Sequence, residues 1–394
     1  MKKVLMVCYG GGHVKIIEHL YHEMRNEFDI TILGLTSAGD YLKSRNIPYV
    51  GFSSFPFLLS VDKQDKYSSL VHEMNVPTHM FKESLFYMGA NLNELECKHG
   101  KEKAKELFNN FGRDIFYPIE AIRKIVRNLS PDLVITTNSP RSELASLEVA
   151  HEFGIPSLCI SDNIWIHGGV LDIANSGFCK NICVFNDVVK NKLVEESGID
   201  ESYIKVTGNP VFDELKELSD NEGARSSENK IVVTFIDGPF PEYSARFPLG
   251  YGKPGVDVTC REKLNNLGSD PDITIYFRKH PNQNICYDQY RNVIDASDMD
   301  LHQLLLLSDV VVTSVSTVGL EGLMLGCTLL SIEDTVYKPY ASYYDYGLSQ
   351  KWLLDEEFKP QLVEASQKER RSIDIYSGRS ISNIRQLISD IFSS

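Results

Sequence analysis

The chain has 394 residues, 42% hydrophobic and 24% charged, a balance that describes a globular protein and excludes a disordered or fibrous one. Its length exceeds what a single core usually supports, so two domains are expected. Forty Lys and Arg against 54 Asp and Glu leave a formal charge of −14, which argues against non-specific nucleic-acid binding yet leaves room for a small basic pocket holding a phosphorylated ligand.

The opening segment MKKVLMVCYGGGH carries an apolar run too short for a signal peptide and reads as a strand, residues 3–9, followed by a Gly-rich turn. Val14, Ile17, Leu20 and Met24 then repeat at helical spacing, giving the strand–turn–helix that opens a doubly wound α/β unit. Gly10, Gly11, Gly12 and His13 form the turn. The pattern is not the dinucleotide fingerprint, because G-x-G-x-x-G is absent. His13 is either a helix cap or a side chain turned to a ligand approaching the glycine backbone.

ITILGL (30–35) and YVGF (49–52) supply two further strands, and residues 65–130 read as a helical insert. DLVITTN (132–138), SLCISD (157–162) and ICVF (182–185) are continuous apolar runs of the kind found in parallel strands buried on both faces. Asn138 and Ser139 end the first of these, with Pro140 and Glu143 in the first turn of the next helix. They serve helix capping or a site. Asp162 ends the second run, near Trp165 and His167, and is a candidate general base or a simple cap. TGNPVFD (207–213) is turn chemistry, with Asn209 at its centre.

SDNEGARSSENK (219–230) is polar and rich in Gly and Ser, and reads as a linker. The alternation restarts with KIVVTFID (230–237), ITIYF (273–277), DVVVTS (309–314) and TLLSI (328–332). The expected organisation is a domain over 1–218, a second over 229–377, and a C-terminal helix over 378–394 that packs back on the first. Asp237 stands at the end of a buried strand, and the loop behind it, 238–257, is either disordered or a functional lid over a site. FRKHP (277–281) brings Arg278, Lys279 and His280 to another strand end, where Pro281 holds His280 extended. Alternation puts Arg278 and His280 on one side and Lys279 on the other, and the segment is either a site donating to a phosphate or a solvated strand end. Finally Thr313, Ser314, Ser316 and Thr317 lead into a helix whose N–H groups could complete an anion cradle, with Glu321 one turn in and within reach of a ribose; the same residues also suit ordinary helix capping.

Eight cysteines are scattered without a C-x-x-C pair; Cys8, Cys159 and Cys183 read as buried thiols, and neither a metal nor a cofactor is expected. No apolar run approaches the roughly 20 residues that span a bilayer, so a cytoplasmic protein is expected, at most peripheral to the inner membrane.

Taken together, GGGH, TGNPVFDEL, RKHPN and SDVVVTSVSTVGLEGLMLGCTLLSI resemble GT-B-fold nucleotide-sugar enzymes of bacterial surface polysaccharide synthesis. The resemblance spans both halves of the chain, in order. It implies two Rossmann-like doubly wound α/β domains facing across a cleft. The His-Pro motif followed by a Ser/Thr motif is similar to that of transferases using CMP-linked Kdo or sialic acid, where these residues bind the donor phosphate. By that likeness Arg278, Lys279, His280, Ser314, Ser316, Thr317 and Glu321 hold the donor. Asp237 matches the nucleophile of the retaining β-Kdo transferases, and Asp162 and His280 join it as catalytic candidates. Gly10, Gly11, Gly12, His13, Asn138, Ser139 and Asn209 fall on the sugar or acceptor side.

The implied partners are a nucleotide sugar, a glycan or lipid-linked glycan acceptor, and other polysaccharide-assembly enzymes, with no nucleic acid. Hydrolysing UDP-GlcNAc 2-epimerases share the TGN turn and the Ser-rich loop, but carry an acidic EAG-L-R segment where this chain has SDNIWIHGG. A non-catalytic glycan-binding protein on the same fold is the third alternative.

Overall fold

The computed structural model describes residues 1–394 except 168, 216–217, 219–229, 245–246, 281–282, 353, 368–377 and 394. It divides into one compact unit of Met1–Val211 with Arg379–Ser394 and another of Phe212–Gly378. The expected linker at 219–230, apart from Lys230, lies outside the described residues, as does Pro281.

In the first unit, β1 (Lys3–Cys8), β2 (Asp29–Gly34), β3 (Leu133–Thr136), β4 (Ser157–Ile160), β5 (Ile182–Val184) and β6 (Ile204–Val206) pair in parallel in the order β2-β1-β3-β4-β5-β6. Strand alternation sorts the β1 side chains between two cores. Val4, Met6 and Cys8 join Ile16, Ile17 and Leu20 of the helix Gly12–Met24, while Leu5 and Val7 meet Phe52, Tyr87 and Phe116 on the other face. The second face is covered largely by the insert, whose main helices are Val61–Glu73, Phe81–His99, Lys101–Phe111 and Ile119–Leu129.

The C-terminal helix Ser380–Ser393 belongs to this unit. Ile384 and Ile388 enter the first core, Phe392 stacks on Phe28 at 5.7 Å, and Arg385 pairs with Glu27.

YVGF is not a strand. Only Val50 bridges to Leu33, because Glu83 draws the next turn away by accepting the N–H groups of Phe52 (2.8 Å) and Ser53 (2.9 Å).

The second unit repeats the plan with β7 (Ile231–Ile236), β8 (Ile273–Arg278), β9 (Ile294–Asp295), β10 (Val310–Thr313), β11 (Thr328–Ile332) and β12 (Gln350–Trp352), in the order β12-β11-β10-β7-β8-β9. Val233, Phe235, Ile275, Phe277, Val310 and Val312 fill its core, and Trp352 stacks on Phe358 at 4.1 Å. In each sheet the strand order reverses once, between β1 and β3 and between β7 and β10. Ligands of open α/β sheets bind at the carboxyl ends of strands beside such a reversal.

The loop after β7 is built onto the segment after β11. Tyr337 donates its hydroxyl to Pro239 O (3.0 Å), Lys253 N donates to Asp334 O (3.0 Å), and the Phe247 ring lies 5.3 Å from Tyr337 and 5.1 Å from Tyr340. Gly250 sits so close to this segment that a Cβ would stand 1.7 Å from Val336 O. Because the obstacle is backbone, Gly250→Ala should displace the loop at a cost of about 1–3 kcal/mol. Limited proteolysis should then cut between residues 240 and 253 faster than in the wild type. An unchanged cleavage rate would show that the loop is not held there.

Among the described residues no helix is long and apolar enough to cross a membrane.

Candidate functional site

In the first unit the reversal lies between β1 and β3, and the chain leaves both strands there with polar residues. After β1, Gly11 adopts φ +74° and ψ −135°, a conformation that a side chain would strain, and it turns the chain into the helix that begins at Gly12. Gly10 and Gly12 flank it. His13 is thereby brought over the end of β3, where its Nδ1 lies 2.8 Å from Thr137 Oγ1.

Thr137 donates its hydroxyl to Glu143 Oε1 at 2.5 Å, and the same oxygen accepts the Tyr9 N–H at 3.1 Å. Glu143 Oε2 accepts the Ser139 N–H and stands 3.9 Å from His13 Nδ1. Burial raises the Glu143 carboxyl above its ordinary range, opposed first by the neighbouring His13 and then by the donors around it.

On the opposite side of the imidazole, Nε2 lies 3.6 Å from Asp162 Oδ2, beyond β4. Asp162 is fixed in turn. Its backbone N–H donates to Asn138 Oδ1 (3.2 Å), its carbonyl accepts from Asn209 Nδ2 (2.8 Å), and its Oδ1 accepts from Asn163 Nδ2 (2.8 Å). The residues expected on the sugar side therefore fall on one sheet edge. His13 is 22% exposed there and Asp162 17%, while Glu143 is sealed at 0%, so the imidazole and the aspartate are the groups a substrate can reach.

Glu143 and Thr137 are the members that sequence reasoning missed. Glu143 reads as a first-turn helix residue, and nothing in its spacing shows that its carboxylate turns back under His13. An open cavity of about 770 Å³ lies beyond the end of β2, lined by Thr36, Asp40, Lys43, Tyr49, His79 and Glu83 among others.

In the second unit the reversal lies between β7 and β10, and the expected donor residues follow the ends of β8 and β10, on either side of β7. Thr313 Oγ1 donates to Ile236 O (3.4 Å), and Asp237 N donates to Arg278 O (2.9 Å). Ser314 shares a hydrogen bond with Thr335 (3.0 Å). Ser316 is the N-cap of the helix Thr317–Met324, its hydroxyl accepting from Val318 N at 3.3 Å, and Thr317 is exposed at the first helical position. The buried Tyr343 braces this turn, donating to Ser316 O (2.6 Å) and accepting from Leu320 N (3.2 Å). Lys279 and His280 are half-buried at the end of β8, the His280 N–H donating to Gln283 Oε1 (3.0 Å).

Three expected members have other employment. Asp237 is 2% exposed. Its Oδ2 accepts from Arg261 Nε (2.8 Å) and Tyr287 OH (2.9 Å), and its Oδ1 from Gly238 N (2.8 Å). A carboxylate so engaged anchors the root of the loop; a nucleophile needs an oxygen open to the substrate. Arg278 Nη1 donates to Ala296 O (3.0 Å) and Met299 O (2.6 Å), bracing the chain after β9. Glu321 pairs with His302 at 3.0 Å. Among the described residues no three His, Cys, Asp or Glu side chains are arranged to hold a metal ion.

No family model matches the chain, and no curated relative matches it. Solved structures do. A UDP-GlcNAc 2-epimerase from Methanocaldococcus jannaschii aligns over 98% of this chain and 99% of its own, with TM-score 0.58 and 14% identity. The S. aureus MnaA–UDP co-structure aligns over 100% and 97%, with TM-score 0.59 and 10% identity. Acinetobacter baumannii MurG aligns over 99% and 100%, with TM-score 0.55 and 12% identity. At these identities the likeness is one of fold. The chain has the GT-B-type architecture expected from its motifs, two doubly wound α/β units with parallel six-stranded sheets.

Proposed function

We propose that the chain is a glycosyltransferase that moves a sugar from a nucleotide-activated donor to a hydroxyl of a bacterial cell-envelope glycan or glycolipid. The observation that carries this reading is the different chemistry at the two strand-order reversals. The second unit offers a helix N-terminus carrying the Ser316 and Thr317 hydroxyls after β10, and Lys279 and His280 after β8 on the same sheet, which we read as a seat for the phosphate of a leaving nucleotide. Positive charge and helix dipole fixed there would offset the charge that builds as the glycosidic bond breaks. The first unit offers an imidazole between two carboxylates, suited to take a proton from an acceptor hydroxyl. The cavity lined by Lys43, Tyr49 and His79 extends the same sheet edge and suits a polar acceptor.

A CMP-linked donor of Kdo or sialic-acid type is the first expectation, from the His280 motif and the Ser/Thr motif. UDP is the second, because one similar structure holds UDP and another is a UDP-GlcNAc 2-epimerase. A thermal-shift series with CMP, UDP and GDP tests the donor site. At a hundredfold excess over Kd the favoured nucleotide should add about 2.7 kcal/mol, read as a rise of several degrees in Tm, and Thr317→Ala and His280→Ala should each reduce it. No shift with any nucleotide would remove the reading.

The whole-chain likeness to 2-epimerases favours one second reading, an epimerase acting on UDP-GlcNAc. In its hydrolysing form it requires that UDP-GlcNAc and water alone give ManNAc and UDP, with no acceptor added. The transferase reading requires that nucleotide release depend on the acceptor.

A further inference from the structure

The hydrogen bonds around Glu143 determine which nitrogen of His13 carries its proton. Glu143 is fully buried and accepts two backbone N–H groups, from Tyr9 and Ser139, which can only donate. Its third partner is the Thr137 hydroxyl, which has one proton and two neighbours: the carboxylate at 2.5 Å and His13 Nδ1 at 2.8 Å. Both carboxyl oxygens already accept backbone N–H groups, and the contact to Glu143 is the shorter of the two that Thr137 makes, so the threonine proton goes to Glu143. Thr137 Oγ1 is then left to accept, and only a protonated Nδ1 can donate to it. The neutral imidazole therefore carries its proton on Nδ1 and its lone pair on Nε2.

We propose that Glu143, acting through Thr137, is the positioning residue that holds His13 in the Nδ1–H tautomer and so presents Nε2 as a proton acceptor to a hydroxyl-bearing substrate. This rests on the transferase reading for its chemistry, though the tautomer itself does not. In the step it serves, the acceptor O–H proton passes to Nε2 while the oxygen forms its bond to the anomeric carbon. The bond from that carbon to the phosphate oxygen breaks, and its electron pair leaves with the nucleotide. The imidazolium, now between Glu143 and Asp162, then returns its proton to water. Glu143 touches no substrate; it acts by orienting and by balancing the charge that His13 acquires.

The tautomer can be read without any activity. Selective 15N-histidine labelling of the full chain, with the His13 signals assigned by their loss in His13→Ala, should show a protonated Nδ1 and an unprotonated Nε2 in the neutral imidazole. Thr137→Val, which keeps the shape and removes the hydroxyl, should shift the population toward Nε2–H, and Thr137→Ser should restore it. Glu143→Gln should act as Thr137→Val does; should it fail to fold, the threonine pair decides alone. A wild-type imidazole protonated on Nε2, or a tautomer indifferent to Thr137→Val, would overturn the relay whatever the enzyme does. In turnover, Thr137→Val should lose at least tenfold in kcat with nucleotide Kd unchanged, and Thr137→Ser should recover most of that loss. A correct tautomer in a protein that turns over no nucleotide sugar would instead leave the relay standing and remove the transferase reading.

Discussion

Arg261→Met is expected to destabilise the second unit by about 3–5 kcal/mol, because it strips the cation from a buried carboxylate while leaving the carboxylate in place. The side chains of Asp237 and Arg261 are 0% and 6% exposed, and the pair is closed by a 2.8 Å bond from Nε. Tyr287 and Gly238 supply the remaining donors to Asp237, and Asp257 takes Arg261 Nη2 at 2.6 Å. Two hydrogen bonds without the guanidinium do not repay the desolvation of a full charge. In chemical denaturation the variant should therefore unfold at markedly lower denaturant. Asp237→Asn in the same background should recover much of the loss, since it removes the orphaned charge and keeps the shape.

The double variant also decides the role of Asp237. If the carboxylate only anchors the loop, turnover survives wherever the fold survives. A folded, nucleotide-binding double variant with no turnover would return Asp237 to the chemistry as a nucleophile.

The two sheets were legible because their central strands are continuous apolar runs. KVLMVC, LVIT, VVVT and TLLSI each lie largely buried on both faces of a parallel sheet. β9 and β12 were not legible. They are two and three residues long, and their sequences, Ile-Asp and Gln-Lys-Trp, have too few apolar positions to show a period. YVGF misled for the opposite reason: its residues suit a strand, and a glutamate 30 residues away holds them as a turn instead.

The candidate sites divide in the same way. Residues at strand ends were visible because a strand end can be read locally. What each side chain touches there was not. Asp237 and His280 look alike in sequence, each following an apolar run. Only the contacts made by Arg261, 24 residues on, and by Tyr287, 50 residues on, show that one of them is enclosed in an ion pair. The Glu143–Thr137–His13 chain joins residues 124 apart, and no spacing rule links them.

His13→Ala should lower kcat by about 10²–10⁴-fold, the range that a positioned general base supplies, equivalent to roughly 3–5 kcal/mol of transition-state stabilisation. Nucleotide affinity should not change, because the proposed phosphate seat draws its residues from the second unit and His13 belongs to the first. Fold stability should change little as well, since His13 makes one side-chain hydrogen bond to Thr137 and is partly exposed. Asp162→Asn serves as the comparison. It keeps the shape and removes the charge that faces Nε2, so it should weaken turnover less than loss of the imidazole itself.

The measurement is steady-state release of nucleotide with and without acceptor, alongside nucleotide Kd by calorimetry. Loss of kcat at constant Kd, confined to the acceptor-dependent reaction, is what a base acting on the acceptor hydroxyl requires. A fall in nucleotide affinity of the same size as the fall in kcat would mean that His13 contacts the donor. In that case the proton acceptor would have to be sought at Asp162, which stands 3.6 Å from the same imidazole and is half-buried on the same sheet edge.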